Sequence, residues 1–355
     1  MDTTEAPQII EHLNKTLTFT PYDVKWIPQT AKFVLCGQHP KATGTIQIHQ
    51  LTKNELQVTR DIQHPKGIKC STFGACLPNK ADLAFGDFNG EMNIVDLETG
   101  KIYYSVKAHN TLVNAIDGIG GLDIGYGAPE IVTAGRDGCV RVWDPRQKAP
   151  VLSLEPSDKE SVPDAWCVAF GNSYNNEERV LAAGYDNGDL KFFDLKTNQL
   201  LWDSNLKNGV VGVEFDRKDI IMNKLVATTL EGKFHVHDMR TLHPESGYAC
   251  LNEKAFGATI WGVKHLPQNR DIFGLLGGNG ALNIYKYNYP NERSIKDSEG
   301  RPRGITGNVE ILNSKDLCQQ PINGFDWNKD KLGLGVLCGL DQTCKVIITT
   351  KLNLY

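Results

Sequence analysis

Along most of this chain apolar and polar residues alternate in short runs, separated by clusters of Gly, Asp, Asn and Pro. A period of two is that of a β-strand with one buried face. Residues 130–147, EIVTAGRDGCVRVWDPRQ, define the unit: strands IVTAG and CVRVWD meet at Asp137-Gly138. A Gly after Asp allows the positive φ that a two-residue hairpin turn requires. The second strand ends Trp143-Asp144, and Ala108-His109 stands upstream, where a Gly-His pair would open a four-stranded repeat.

The unit recurs. The turn position falls at Gly44, Gly90, Gly138, Gly188, Gly232, Gly280 and Thr343, in steps of 44–50 residues except for a final step of 63. The strands that follow read TIQIHQ, EMNIVD, CVRVWD, DLKFFD, KFHVHD, ALNIYK and CKVIIT. A second mark keeps the same register: first strands end in a bulky ring at Trp26, Phe73, Phe170, Phe215 and Trp327, with Gly118 and His265 at the matching places of units three and six. These marks predict an all-β chain, a single seven-bladed β-propeller over residues 1–355. The blades fall at about 20–62, 66–107, 109–156, 164–206, 209–256, 259–317 and 321–352. The seventh then lacks an outer strand, and residues 8–18 are expected to supply it, pairing the two chain ends in one sheet and leaving no edge open.

Composition narrows the function. A net charge of −4 and a pI near 6.2 give no electrostatic footprint for nucleic acid. No apolar run is long enough to span a bilayer, and the acidic, polar start does not resemble a secretory leader. Nine cysteines without a C-x-x-C pair read as small buried residues in a reducing cytoplasm. First-to-second and third-to-fourth connections emerge on one face of a propeller disc. The long connections GIGGLDIGYGAPE, NSYNNEER and DRKDIIMNK of blades three to five, and the insertion 287–307 of blade six, therefore share that face. Loops on a rigid scaffold are where binding concentrates. Asp123, Tyr126, Tyr174, Asn175, Glu177, Arg217, Asp219, Arg293, Lys296 and Asp297 are the candidate partner surface. The 287–307 insertion is charged, holds Pro and Gly and lacks periodicity, which predicts a solvated loop.

Four constellations carry a structural and a chemical reading. His109, Thr133, Asp137 and Trp143 are spaced as a buried hydrogen-bonded tetrad that fixes a blade, rather than as a nucleophile triad. His235 and His237 share one side of a strand as His-x-His does in metal sites, but no third ligand is in view, and His237 occupies the packing position of Trp143. GIGGLDIGYG fails the phosphate-loop pattern because Asp123 takes the place of the last glycine and a strand follows. The W-D-x-R run ending at Arg146 recurs as H-D-x-R ending at Arg240. Such an Arg most often braces neighbouring blades, and alternatively pairs with an acidic partner. No catalytic, metal-binding or cofactor-binding residue is expected, and no cofactor.

The Trp-Asp unit and its repeats resemble the WD-repeat propeller family throughout. Within it, residues 114–148, 168–195, 214–241, 263–273 and 296–300 are similar to the WD-repeat factors of axonemal dynein preassembly, on loops far more specific than the Trp-Asp mark. That resemblance implies a cytoplasmic, non-enzymatic adaptor, monomeric within a larger complex. It further implies association with a co-chaperone assembly of RuvB-like ATPases, a TPR protein and prefoldin-like subunits, with dynein heavy chains as clients and without nucleic acid or membrane partners. An apoptotic link also attaches to the family. The alternative is a substrate receptor of a cullin-RING ubiquitin ligase, engaged through Arg146 and Arg240. Only blade three carries the full tetrad and Trp-Asp, so the other blades are expected to depend more on apolar packing.

Overall fold

The computed structural model of the chain describes residues 6–53, 55–77, 80–121, 125–157 and 161–355. Seven four-stranded antiparallel sheets stand around an axis. Six are consecutive meanders, from Thr20–Trp26 innermost to Leu56–His64 outermost in blade one, through to Ile260–Leu266 and Asn308–Asp316 in blade six. Blade seven takes three strands from the carboxy-terminal segment, and its outer strand is Ile9–Thr16, paired antiparallel with Thr343–Thr349. The closure is reinforced at both ends: Leu17 N–H donates to the Gln342 carbonyl at 2.7 Å and Thr350 N–H to that of Gln8 at 3.0 Å. The turn glycines of blades two to six take a positive φ, +71° at Gly138, whereas in blade one Ala42 takes it two residues before Gly44. The one helical element among the described residues is a single turn, Leu352–Leu354.

Alternation along the strands builds seven apolar clusters, one at each seam between neighbouring blades. The closing seam joins Val336, Cys338 and Val346 of blade seven, with Leu17, to Phe19, Val24 and Phe33 of blade one. Bulky rings at the strand ends (Trp26, Phe73, Phe170, Phe215 and Trp327) are buried in these seams. Blade three has Gly118 there because blade two's chain takes the space: a Cβ on Gly118 would lie 2.8 Å from the Ala75 backbone nitrogen and 3.0 Å from the Gly74 carbonyl carbon.

Every inner strand carries a β-bulge at the same place, between Pro21/Asp23, Ile68/Cys70, Val113/Ala115, Ala165/Cys167, Val210/Gly212, Ile260/Gly262 and Ile322/Gly324. A bulge leaves one residue unpaired and re-aims its side chain. Here the seven extra residues are Tyr22, Lys69, Asn114, Trp166, Val211, Trp261 and Asn323, and all line the axial channel, a cavity of about 790 Å³.

The 287–307 insertion departs from the solvated loop that its composition predicts. It forms a hairpin, Ser294–Lys296 paired with Pro302–Gly304, folded back against blade five. Arg293 donates to Asp238 at 2.6 and 3.0 Å and stacks 4.7 Å over the Tyr289 ring, and His243 Nε2 meets Asp297 at 3.0 Å. Charged residues without periodicity can still be ordered when their counter-charges wait on another blade.

Candidate functional site

In blade three the His109 ring meets Asp137 through Nδ1 and Thr133 Oγ1 through Nε2, both at 2.8 Å, and the Trp143 indole N–H donates to Thr133 Oγ1 at 2.9 Å. A neutral imidazole satisfies the whole chain: its Nδ1–H donates to the carboxylate and its Nε2 accepts the threonine hydroxyl. Burial alone would push the Asp137 carboxyl up, but the hydrogen bond from His109, with those from the N–H groups of Asn110 and Cys139, holds it well below the usual range. Thr133 is fully buried, so its hydroxyl is out of reach of any substrate. A partial echo, missed in the sequence, joins blades one and two: His64 Nε2 lies 3.0 Å from Asp87, whose other oxygen accepts the N–H groups of Asn89 and Glu91.

His235 and His237 stack with centroids 6.4 Å apart, and Cys250 Sγ lies 3.9 and 3.7 Å from them. Burial lowers them to about 4 and about 3, so both are neutral packing groups at neutral pH. Among the described residues no cluster of three or more His, Cys, Asp or Glu is arranged to hold a metal ion.

The channel wall carries a second set that sequence reasoning missed. Carboxylates on inner strands accept backbone N–H groups of the next blade: Asp23 from Ser71 at 2.7 Å, Asp117 from Phe170 at 3.0 Å, Glu214 from His265 at 2.6 Å and Asp326 from Trp26 at 2.8 Å. Lys264 Nζ also binds Glu214 at 2.9 Å. Burial would raise the Glu214 carboxyl, yet Lys264 and His265 together bring it down to about 2. These contacts tie blades together where the apolar seams open into the channel.

The long-loop face is one stitched surface. Gly121 N–H donates to Gly74 O at 3.1 Å, Tyr126 N–H to Ser173 O at 2.6 Å and Ser173 N–H to Lys218 O at 2.7 Å, linking blades two to five. Asp123 lies outside the described residues. Tyr126 is more than half exposed. Tyr174 donates its hydroxyl to Glu178, Asn175 accepts the N–H groups of Glu177 and Glu178, and Glu177 pairs with Lys196. Arg217 and Asp219 form a bidentate pair at 2.7 and 2.6 Å. Arg293 and Asp297 turn inward to hold the blade-six hairpin, and Lys296 faces solvent. Arg146 folds back onto Asp144 of its own turn rather than reaching a neighbouring blade. Arg240 is exposed, with its backbone N–H on Asp238.

These loops enclose a cleft of about 410 Å³ between blades four and five. Met222, Met239 and Tyr248 form a buried apolar floor, and Leu201 and Ile221 stand more than 40 % exposed at its edge. Glu177, Glu178, Asp194 and Arg240 make a charged rim. An apolar floor inside a polar rim is the anatomy of a polypeptide-binding patch.

No protein-family model matches the chain. It is 54 % identical over 355 residues to dynein axonemal assembly factor 10 of Homo sapiens, with 99 % of each chain covered. It is 52 % identical over 356 residues to the protein of the same name from Chlamydomonas reinhardtii, again with 99 % of each covered. A 114-residue stretch, 31 % of the chain, is 25 % identical to WD repeat-containing protein 90 of Xenopus tropicalis, of which it covers 6 %.

Proposed function

The chain belongs to the dynein axonemal assembly factor 10 family, and on that premise we propose that it is a non-catalytic adaptor for the cytoplasmic preassembly of axonemal dynein arms. The proposed partners are a co-chaperone assembly of RuvB-like ATPases, a TPR protein and prefoldin-like subunits, with dynein heavy chains as clients. The observation that carries this reading is kinship over the whole length of named assembly factors from an alga and a mammal. The geometry supports it from another side. The catalysis-like set around His109 is sealed in a core, whereas exposed apolar residues gather at a cleft among the long loops of blades four and five. A rigid ring with an apolar cleft is suited to hold a segment of another protein while that protein folds.

The test is affinity capture from the cytosol of cells building cilia, with the wild-type chain and with Leu201→Asp combined with Ile221→Asp. Both side chains are solvent-exposed, so the ring should fold. Loss of chaperone subunits and dynein heavy chains from the double variant is the expected result. Recovery at wild-type yield sinks the assignment of this face.

A further inference from the structure

The opposite mouth of the axial channel is formed by the seven bulged residues, and its chemistry is uneven. Tyr22, Trp166 and Trp261 give it aromatic walls. Phe88 packs on Tyr22 with ring centroids 5.2 Å apart, and Trp261 and Leu230 stand 40 % and 37 % exposed. Gly209 lets Trp166 and Leu230 close up, since a Cβ there would meet both at 2.7 and 3.0 Å. The two amides are committed to the ring, Asn114 donating to Ala165 O at 2.9 Å and Asn323 to Pro21 O at 2.7 Å.

Lys69 is different. Among the described residues it has no hydrogen-bond or ion-pair partner, and its Nζ lies 5.2 Å over the Tyr22 ring. The other lysines on inner strands are matched, Lys25 by Asp23 and Lys264 by Glu214. The nearby Asp23 cannot serve Lys69 as well. Its Oδ1 takes Lys25 and the Val24 N–H, and its Oδ2 takes the Ser71 N–H and hydroxyl. Burial pulls the Lys69 ammonium below the ordinary lysine value, as a cation lacking a counter-charge should behave.

We propose that this mouth is a second docking site, which receives an acidic side chain of a partner polypeptide against Lys69 and an adjoining apolar side chain against Trp166 and Trp261. Charge complementarity selects the occupant. One desolvated ammonium matches one carboxylate in a charge-assisted pair. A polyphosphate would call for several cations, whereas the seven bulged residues offer one, set among rings that need apolar cover. The site lies on the face opposite the long loops, so the adaptor could hold two proteins at once.

The experiment is panning of a random 12-residue peptide phage library on the full chain and on Lys69→Met, Lys69→Arg and Trp261→Ala, each checked for a wild-type melting curve. The wild-type chain should enrich sequences in which Asp or Glu adjoins an aromatic or branched residue. Lys69→Met should cut their recovery at least tenfold and Trp261→Ala by a similar factor, while Lys69→Arg should retain most of it. Trp261→Ala removes an exposed ring and keeps the test valid should Lys69→Met fold poorly. Enrichment of neutral sequences, equal recovery on wild type and both weakened variants, or no enrichment at all overturns the proposal.

Discussion

Asp326 of blade seven accepts the backbone N–H of Trp26 of blade one at 2.8 Å, across 300 residues of chain. The contact sits at the seam where the ring shuts. Asp326→Ala leaves that buried N–H without a partner, which costs about 1–3 kcal/mol. Asp326→Asn retains an acceptor oxygen and should cost less than half as much. Urea unfolding of the two variants separates a hydrogen-bond role from a charge role.

Glu214 makes stability depend on acid. Its carboxyl is drawn from the ordinary 4.5 to about 2 in the folded state, because Lys264 and His265 outweigh burial. A depressed carboxyl stabilises the fold fully above its unfolded value, and that contribution is lost as pH falls from about 4.5 to about 2. It amounts to something on the order of 3 kcal/mol. Glu214→Gln should flatten this limb of the stability–pH curve, as read from urea midpoints between pH 2 and pH 6. An unchanged limb would assign the acid sensitivity to other carboxyls.

The blade-six hairpin is held by charge. Arg293→Ala removes its hydrogen bonds to Asp238 and its stacking on Tyr289, so hydrogen exchange across residues 294–304 should rise at least tenfold. Asp238 is itself buried and would lose its counter-ion, so a drop in stability of about 3–5 kcal/mol is expected alongside. Fast exchange in the wild-type protein would contradict the docked hairpin.

The two W-D-x-R-type arginines should behave differently. Arg146 is occupied by Asp144 and its loss should leave partner capture unchanged, whereas Arg240→Ala at the cleft rim should weaken it several-fold. Under the ubiquitin-ligase alternative both substitutions would abolish binding to the ligase adaptor, measured with the purified adaptor subunit.

Much of the ring was legible because its marks are local. Strands such as TIQIHQ and EMNIVD declare themselves by alternation, and the Gly at six of the seven third-strand turns keeps the count. The outer strand Ile9–Thr16 could be inferred only because blade seven came up one strand short. The carboxylate ties were not legible. Asp117, Glu214 and Asp326 precede the ring position by one residue and Asp23 by three, so they fall in no single column and look like solvent-facing alternates. The bulges were hidden for a related reason. An extra residue in a strand changes the pairing and leaves the composition untouched, so Lys69 and Trp166 read as ordinary strand residues. Docking of the 287–307 hairpin rests on Arg293 meeting Asp238, 55 positions earlier, a match that neither segment signals alone.

Deleting residues 1–17 tests the closure directly. It strips the pairing partners from Thr343–Thr349 and removes Ile9 and Leu17 from two buried clusters. The truncated chain should lose its single cooperative melting transition and self-associate through the bared edge, visible by size-exclusion chromatography.

Because Ile9–Thr16 pairs with Thr343–Thr349, a ribosome building this protein must carry Ile9–Thr16 unpaired until Thr349 has emerged. Six sheets can form on the way, but the circle cannot lock before Thr343–Thr349 is made. A chain stopped before Thr343 would keep a raw strand edge open to pairing with other chains, so a sealed ring certifies that Thr343–Thr349 has been made.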